Sequence, residues 1–363
     1  MIYINGRFLQ KPITGTERFA REIVQAMDTL AGLTNLKDAI TILAPPGTPA
    51  PEGLKNIKFQ TCGTRQGHAW EQWDLYRAAS DGTLLSLTNS GPVLHPHQTV
   101  IIHDVAPYRM PKDFSLSYQA FHRILGRLLA KRSQIATVSK FSSSDLAAVL
   151  SLDSERIPVF YNGHEHILRA PSDDMVIEKL GLQDRPYFLF IGSPAPRKNL
   201  GMAIKAFRAL KRSDIAFVIV GAANPKVFRE SLDAQAENIL MPGRLTDGEI
   251  VALYQHALAL VFPSLYEGFG IPPLEAMVHG CPVLAADIPA VREVCGDAAL
   301  YFSAQDTADC TRCLQSFLDD PDMGETLRQK GATRYAEFSW SKSAEQVLER
   351  LFDSKLQGKS ISQ

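Results

Sequence analysis

The sequence lacks any apolar run near the roughly 20 residues a membrane-crossing helix needs, any low-complexity tract and any excess of charge, and it holds only five cysteines in 363 residues. The longest apolar windows, Tyr187–Ile191 and Leu258–Pro263, are strand-sized, so membrane contact can only be peripheral. With 38 basic against 39 acidic residues, the chain has no basic field with which to hold nucleic acid. An odd, scattered set of cysteines excludes a disulfide framework and suits a reducing compartment. Cys310 and Cys313 form a C-x-x-C within a stretch of helical apolar spacing and have no second pair, so no metal or redox role is expected. His95/His97 and His164/His166 stand in turn-like stretches without partnering carboxylates or thiols and read as loop histidines. The start, MIYINGRFLQ, enters a strand pattern directly, without a basic start or small-residue cleavage site. No secretory leader is expected, and the chain is placed in the cytoplasm.

What is present is alternation. Strand patterns at Ile2–Ile4, Ala39–Leu43, Leu84–Leu87, Thr99–His103, Gln134–Val138 and Arg156–Tyr161 are interleaved with helical patterns at Glu17–Leu30 and Ser115–Lys131 and with capping residues from Ser139. After a polar segment near Ala170–Asp174 the alternation restarts. Strands are expected at Tyr187–Ile191, Ala216–Val220, Ile239–Met241, Ala259–Phe262 and Pro282–Ala285, with helices at Leu200–Lys211, Asp247–His256 and Pro272–His279. Two successive α/β halves imply parallel sheets wrapped by helices. The expected domains are 1–165, 166–340 and a helical tail 341–363 able to pack on either half. Ligands of open α/β sheets bind beyond the carboxyl ends of the strands, which directs the search for chemistry to those ends.

The densest constellation is Phe262-Pro-Ser-Leu-Tyr-Glu-Gly-Phe-Gly-Ile-Pro-Pro-Leu-Glu-Ala-Met277, a strand end, a glycine-rich turn and a helix start. Glu267 precedes the turn and Glu275 lies about one turn into the helix, so they can face different parts of one ligand. Gly268 and Gly270 admit close backbone approach, and the helix start offers N–H groups and a positive dipole end to a phosphate. A second phosphate-suited element is Phe190-Ile-Gly-Ser-Pro-Ala-Pro-Arg-Lys-Asn-Leu200, in which Gly192 opens a turn that presents Arg197 and Lys198. Two adjacent cations at a strand end can neutralise a diphosphate leaving group.

These residues resemble the family-4 retaining glycosyltransferases of GT-B architecture, which show an E-x7-E signature, an R-K pair after the first strand of the second domain and a histidine in the first. Here those read as Glu267 to Glu275, Arg197-Lys198 and His103, with weaker matches at Thr14-Gly15-Thr16-Glu17-Arg18, Thr137-Val138-Ser139 and Tyr161-Asn162-Gly163. The resemblance implies an α/β fold of two Rossmann-like domains facing across a cleft, the C-terminal helix being free to return to the first domain. It also implies roles. Arg197 and Lys198 hold the donor diphosphate, Glu275 takes the ribose hydroxyls, and Glu267 sits beside the transferred sugar. Gly268, Phe269, Gly270 and Ile271 bind sugar hydroxyls and phosphate through their backbone. His103 contacts the sugar or its leaving oxygen, with Asp104 as an orienting neighbour, and Gly243, Arg244 and Leu245 frame the nucleotide base. Thr14 replaces the first glycine of the family's two-glycine loop, which leaves Gly15 alone in that turn.

The resemblance further implies retention at the sugar carbon, either by front-face attack or with Glu267 as nucleophile. No Asp-x-Asp stands at a strand end in a metal-binding setting, so no metal is expected, and no cofactor beyond a GDP- or UDP-linked sugar. The opening Tyr3-Ile-Asn-Gly-Arg-Phe8 and Thr14-Gly-Thr-Glu-Arg-Phe19 look like enzymes using mannose- or rhamnose-type donors in bacterial surface polysaccharide biosynthesis. The expected acceptor is a glycan or a lipid-linked oligosaccharide. Residues 121–132 set Arg123, Arg127, Lys131 and Arg132 among apolar residues at helical spacing, which suits either a core-packed helix or contact with the inner face of the cytoplasmic membrane. Trp70 and Trp73 suit either an acceptor surface or the core. The alternative from another class is a catalytically silent nucleotide- or glycan-binding scaffold of the same fold.

Overall fold

The structure, a computed structural model, describes residues 1–34, 36, 38–221 and 238–360. It divides into two units, Met1–Gly163 together with the chain from Ser339 onward, and His164–Phe338.

The first unit holds β1 (Ile2–Asn5), β2 (Ile40–Ala44), β3 (Lys58–Thr61), β4 (Thr83–Ser86), β5 (Gln98–Ile101) and β6 (Gln134–Ala136), in the order β3-β2-β1-β4-β5-β6. All pair in parallel. The second unit holds β7 (Tyr187–Ile191), β8 (Ala216–Val220), β9 (Ile239–Gly243), β10 (Ala259–Phe262), β11 (Val283–Ala286) and β12 (Ala299–Phe302), in the order β12-β11-β10-β7-β8-β9, again all parallel. The apolar runs AFVIV and ALVF are buried along their whole length, as strands covered by helices on both faces require. Each sheet reverses its strand order once, between β1 and β4 and between β7 and β10, and such switch points open a crevice at the carboxyl ends.

The helices that matter below are α1 (Gly15–Leu33), α2 (Leu116–Arg132), α3 (Lys140–Leu150), α4 (Leu200–Ala209), α5 (Asp247–His256), α6 (Ile271–Val278), α7 (Thr307–Asp319), α8 (Met323–Arg334) and α9 (Trp340–Ser360). Their starts follow the capping chemistry of the sequence. Ser115 and Ser139 accept from the N–H groups of Tyr118 and Ser142, and Thr246 forms a reciprocal box with Glu249. α9 belongs to the first unit. It packs on α1, with the Trp340 ring edge-on to Phe19 at 5.8 Å and Ser343 Oγ donating to Tyr161 O at 2.7 Å.

Three expectations change. Arg156–Tyr161 is not a strand: Ser154–Arg156 makes a 3-10 turn, and only the bridge Thr137 to Val159 follows, since Pro158 has no N–H to give a ladder. β3 was not anticipated, because this edge strand of Lys58, Phe59, Gln60 and Thr61 carries little apolar signal. Nor were β12 and α8, whereas α7 bears out the helical spacing read around Cys310 and Cys313.

Candidate functional site

The site of the second unit follows from its topology. β7 and β10 are neighbours, Phe188 pairing with Ala259 and Leu189 with Leu260, so the loops that leave them emerge side by side at the switch point. After β7 the chain makes a 3-10 turn at Pro196–Lys198, ended by Asn199 in the left-handed region at φ 56°. Asn199 Nδ2 donates to Pro263 O at 3.2 Å and Ala304 O at 2.8 Å, and Leu265 N donates to Arg197 O at 2.8 Å. The two loops are stitched together, and the stitching sets Lys198 Nζ 2.5 Å from Glu267 Oε1 and 5.6 Å from the Phe262 ring centroid. Both side chains of this ion pair are largely withdrawn from solvent. Gly192 N donates to Val220 O at 3.0 Å, and a Cβ on Gly221, at φ 146°, would lie 1.9 Å from Gly192 O. Only glycine at 221 lets the backbone just beyond β8 come this close to Gly192.

The second half of the E-x7-E pattern differs from expectation. Gly270, at φ 118°, caps α6, but Pro272 and Pro273 carry no N–H, so the anion-binding donors of this helix start narrow to the backbone of Gly268–Ile271. Phe269 is buried and edge-on to Phe338 at 5.5 Å. Glu275 is 8% exposed. Its Oε1 accepts from His166 Nε2 at 2.7 Å and its Oε2 from the Tyr254 hydroxyl at 3.0 Å. Burial, and the Glu275 carboxylate beside it, push the Tyr254 phenol well up, so it stays protonated and donates. His166 is therefore no loop histidine without a carboxylate partner. It lies in the short helix Glu165–Leu168, and its partner is 109 residues away in sequence. Ser264, in the same loop as Glu267, has a buried hydroxyl without a hydrogen-bond partner.

Gly243, Arg244 and Leu245 stand at the end of β9, two strands from β7 in the same sheet. Gly243 O accepts from Gly221 N at 2.8 Å; Arg244 is exposed and Leu245 half-buried. Among the described residues no three His, Cys, Asp or Glu side chains gather into a metal-binding group. Cys310 and Cys313 are free and lie on the core side of α7, where burial pushes both thiols up, Cys313 to about 12. They are inert thiols.

In the first unit Gly15 is the first residue of α1, behind Thr14 at its N-cap. His103 lies two residues beyond β5 and is buried: Nε2 donates to Leu87 O at 2.8 Å and the ring is edge-on to Phe19 at 4.9 Å. Burial holds its pKa below the usual histidine value, so it is neutral. Asp104 accepts from Ala106 N at 2.8 Å and so caps the next turn. Trp70 is a core residue, Nε1 donating to Cys62 O at 2.8 Å, while Trp73 is exposed between Arg65 and Arg77.

Sequence reasoning missed a polar network at the carboxyl edge of the first sheet, at its switch point. Asn5 ends β1 and Ser86 ends β4, and Asn5 Nδ2 donates to both Ser86 Oγ (3.3 Å) and Glu71 Oε1 (2.7 Å). Glu71 Oε1 also accepts from Ser90 Oγ at 3.0 Å and has Arg7 Nε 3.2 Å away, while Oε2 pairs with His68 Nδ1 at 3.1 Å. Glu71 sits on a single π turn, Trp70–Leu75, a rare element that often marks functional positions. The one sequence signal was a glutamate between Trp70 and the apolar Leu75, on the inward side of that turn.

Residues 173–334 match the family Glycosyl transferases group 1. The O-antigen chain mannosyltransferase RfbU of Salmonella typhimurium is 30% identical over 230 residues, 62% of this chain and 62% of the relative. The O-antigen chain mannosyltransferase B of Escherichia coli is 28% identical over 369 residues, 94% of this chain and 96% of the relative. The chain thus spans less than two thirds of RfbU and nearly all of mannosyltransferase B. Among solved structures, Anabaena Alr3699/HepE in complex with UDP and glucose superposes with a TM-score of 0.73 at 16% identity, covering 96% of this chain and 98% of that one. WaaG, a glycosyltransferase involved in lipopolysaccharide biosynthesis, gives 0.71 at 14% identity, covering 97% and 99%. The second unit thus matches the group 1 glycosyltransferases, and the two parallel sheets have the α/β GT-B fold of the solved structures they superpose on.

Proposed function

We propose that the chain moves a mannose-type sugar from a nucleotide-linked donor to a glycan or lipid-linked acceptor in surface polysaccharide assembly, with retention and without a metal ion. One observation carries the reading: the switch point of the second sheet sets the Arg197-Lys198 turn against the loop of Glu267, with Lys198 Nζ 2.5 Å from Glu267 Oε1. Breaking a sugar–diphosphate bond leaves negative charge on the phosphate and positive charge on the anomeric carbon. Arg197, Lys198 and the N–H groups of the Gly268–Ile271 turn meet the first charge, and the Glu267 carboxylate meets the second. The acceptor oxygen bonds to the anomeric carbon on the face the phosphate leaves, and its proton passes to the departing phosphate oxygen. The ammonium against Glu267 dampens that carboxylate as a nucleophile, which favours this front-face route over a glycosyl-enzyme intermediate. Mannose-type transfer is supported by the relatives' names, and a nucleoside diphosphate donor by neighbours solved with UDP or UDP-glucose.

The test is release of free nucleoside diphosphate from GDP-, UDP- and dTDP-sugars with EDTA present. Slow hydrolysis of one donor, a GDP-sugar on this reading, is expected. Turnover abolished by EDTA would refute metal independence, and a donor that binds without any release, even with acceptor glycan added, would make the chain a silent scaffold.

We also propose that α2 rests on an anionic lipid surface. No helix among the described residues is long and apolar enough to cross a membrane. Yet α2 exposes Leu116 (83%), Phe121, Ile124 (58%) and Leu128, with the exposed cations Arg127, Lys131 and Arg132 beside them. Arg123 is not part of this face: its guanidinium donates to Pro107 O at 3.0 Å and lies over Tyr108. An apolar stripe flanked by cations fits acidic headgroups above acyl chains. Ile124→Ser combined with Leu128→Ser is expected to cut co-sedimentation with phosphatidylglycerol vesicles about tenfold or more. Equal binding to phosphatidylcholine vesicles, or none to either, would sink the idea.

A further inference from the structure

We infer that His166 and Tyr254 are positioning residues that hold the Glu275 carboxylate with one acceptor site on each oxygen turned to the vicinal hydroxyls of a nucleotide ribose. The inference rests on the donor reading above and deepens it.

The chemistry is one of counting. An ionised carboxylate accepts at about four lone-pair sites and donates at none. One site on Oε1 is taken by His166 Nε2–H at 2.7 Å and one on Oε2 by the Tyr254 hydroxyl at 3.0 Å. One site per oxygen remains, and a pair of acceptors side by side matches two neighbouring hydroxyls that both donate. Without its two partners the carboxyl group would rotate about its own bond, and the side chain, 8% exposed, would lack the hydrogen bonds a buried charge requires.

Both partners are built to stay. The His166 side chain is almost wholly buried, in the helix Glu165–Leu168 that packs on α6. Tyr254 lies on α5, its hydroxyl also within 3.2 Å of Pro272 O, and its ring stacks on His279 at 6.2 Å and 13°. Burial keeps the His279 imidazole neutral, so it does not compete as a cation for Glu275. Three elements thus converge on one carboxylate, more than a surface glutamate needs and what a hydroxyl-reading group requires.

The measurement is discrimination against the missing hydroxyl. GDP, UDP and their 2′-deoxy analogues are titrated into the full chain, and the nucleotide bound more tightly is followed. A site that hydrogen-bonds a hydroxyl through a charged group rejects the analogue lacking it. Wild type is expected to prefer the ribonucleotide by about tenfold or more. Tyr254→Phe, which keeps the ring and its packing, and His166→Ala are each expected to shrink that preference to within about threefold and raise donor KM, with kcat changed less than KM. A preference left intact in Tyr254→Phe overturns the positioning role, and this variant carries the test alone if His166→Ala does not fold. Failure of the underlying reading looks different: Glu275→Ala would keep wild-type affinity and preference, or wild type would bind neither nucleotide.

Discussion

Lys198→Ala is expected to lower kcat for donor cleavage by about 10²- to 10³-fold, the loss seen when one preorganised group facing developing charge is removed. That corresponds to about 2.7–4 kcal/mol of transition-state stabilisation. Three features make the lysine preorganised. The turn Pro196–Lys198 is closed by Lys198 N donating to Ala195 O at 2.9 Å and Asn199 N to Pro196 O at 3.0 Å. The neighbouring loop is tied to it through Arg197 O and Asn199 Nδ2, and the ammonium is already drawn out of water against Glu267 and the face of Phe262. Little reorganisation is left for the moment the sugar–phosphate bond breaks. Lys198→Arg keeps the charge but not the compact single-point geometry, and is expected to recover only part of the rate. A double variant separates two ways in which the lysine could act. If it serves only to neutralise Glu267, adding Glu267→Gln to Lys198→Ala restores activity. If it meets the leaving diphosphate, the double variant is no better than the single one. Wild-type kcat in Lys198→Ala, with the chain folded by circular dichroism, would remove Lys198 from the chemistry.

How much of this was legible depended on how far apart the cooperating residues stand. Tyr187–Ile191, Ala216–Val220 and Ala259–Phe262 were readable residue for residue, since a strand buried on both faces is written as a continuous apolar run. The two turns that leave β7 and β10 were readable as turns because glycine and proline are contiguous in them. The Arg156–Tyr161 segment misled because its apolar spacing reads as a strand while Pro158 withholds the donor that pairing needs. The partners of Glu275 were invisible for another reason. His166 is 109 residues away and Tyr254 is 21, so nothing local to either marks it as a carboxylate ligand, and only the packing of α5 and Glu165–Leu168 against α6 creates the set. The helix start of α6 was over-read: the two prolines that signal a helix beginning also delete two of the donors that make such a beginning attractive to phosphate.

Glu71→Gln is expected to destabilise the first unit by about 3–5 kcal/mol, the cost of breaking a buried ion pair from one side. For a unit of this size that is a fall in melting temperature of about 6 to 20 °C. Glu71 is fully buried and Arg7 nearly so, and the glutamine would keep the shape while leaving the guanidinium without its counter-charge. Arg7 NH2 would retain Ser90 Oγ, 2.5 Å away, as a neutral partner only. Acid stability should report the same group. Burial alone would push the Glu71 carboxyl up, but hydrogen bonding to His68, the charge of Arg7 and the amide of Asn5 outweigh it and hold the pKa below 4.5, the ordinary value. A carboxyl held lower in the folded state than in the unfolded one stabilises the fold above the unfolded value and loses that contribution as pH falls through the folded one. Wild type should therefore lose stability as pH drops below about 4.5, and Glu71→Gln should flatten that limb of the curve. Pairing the change as Arg7→Met with Glu71→Leu, which removes both charges, is expected to cost less than either single change. On the proposed reading nucleotide affinity is carried by side chains of the second unit and should stay within about twofold in all of these variants. A Glu71→Gln protein that melts within about 2 °C of wild type at neutral pH would show the network to be dispensable. A large fall in melting temperature without any change in the acid limb would assign the loss to packing rather than charge.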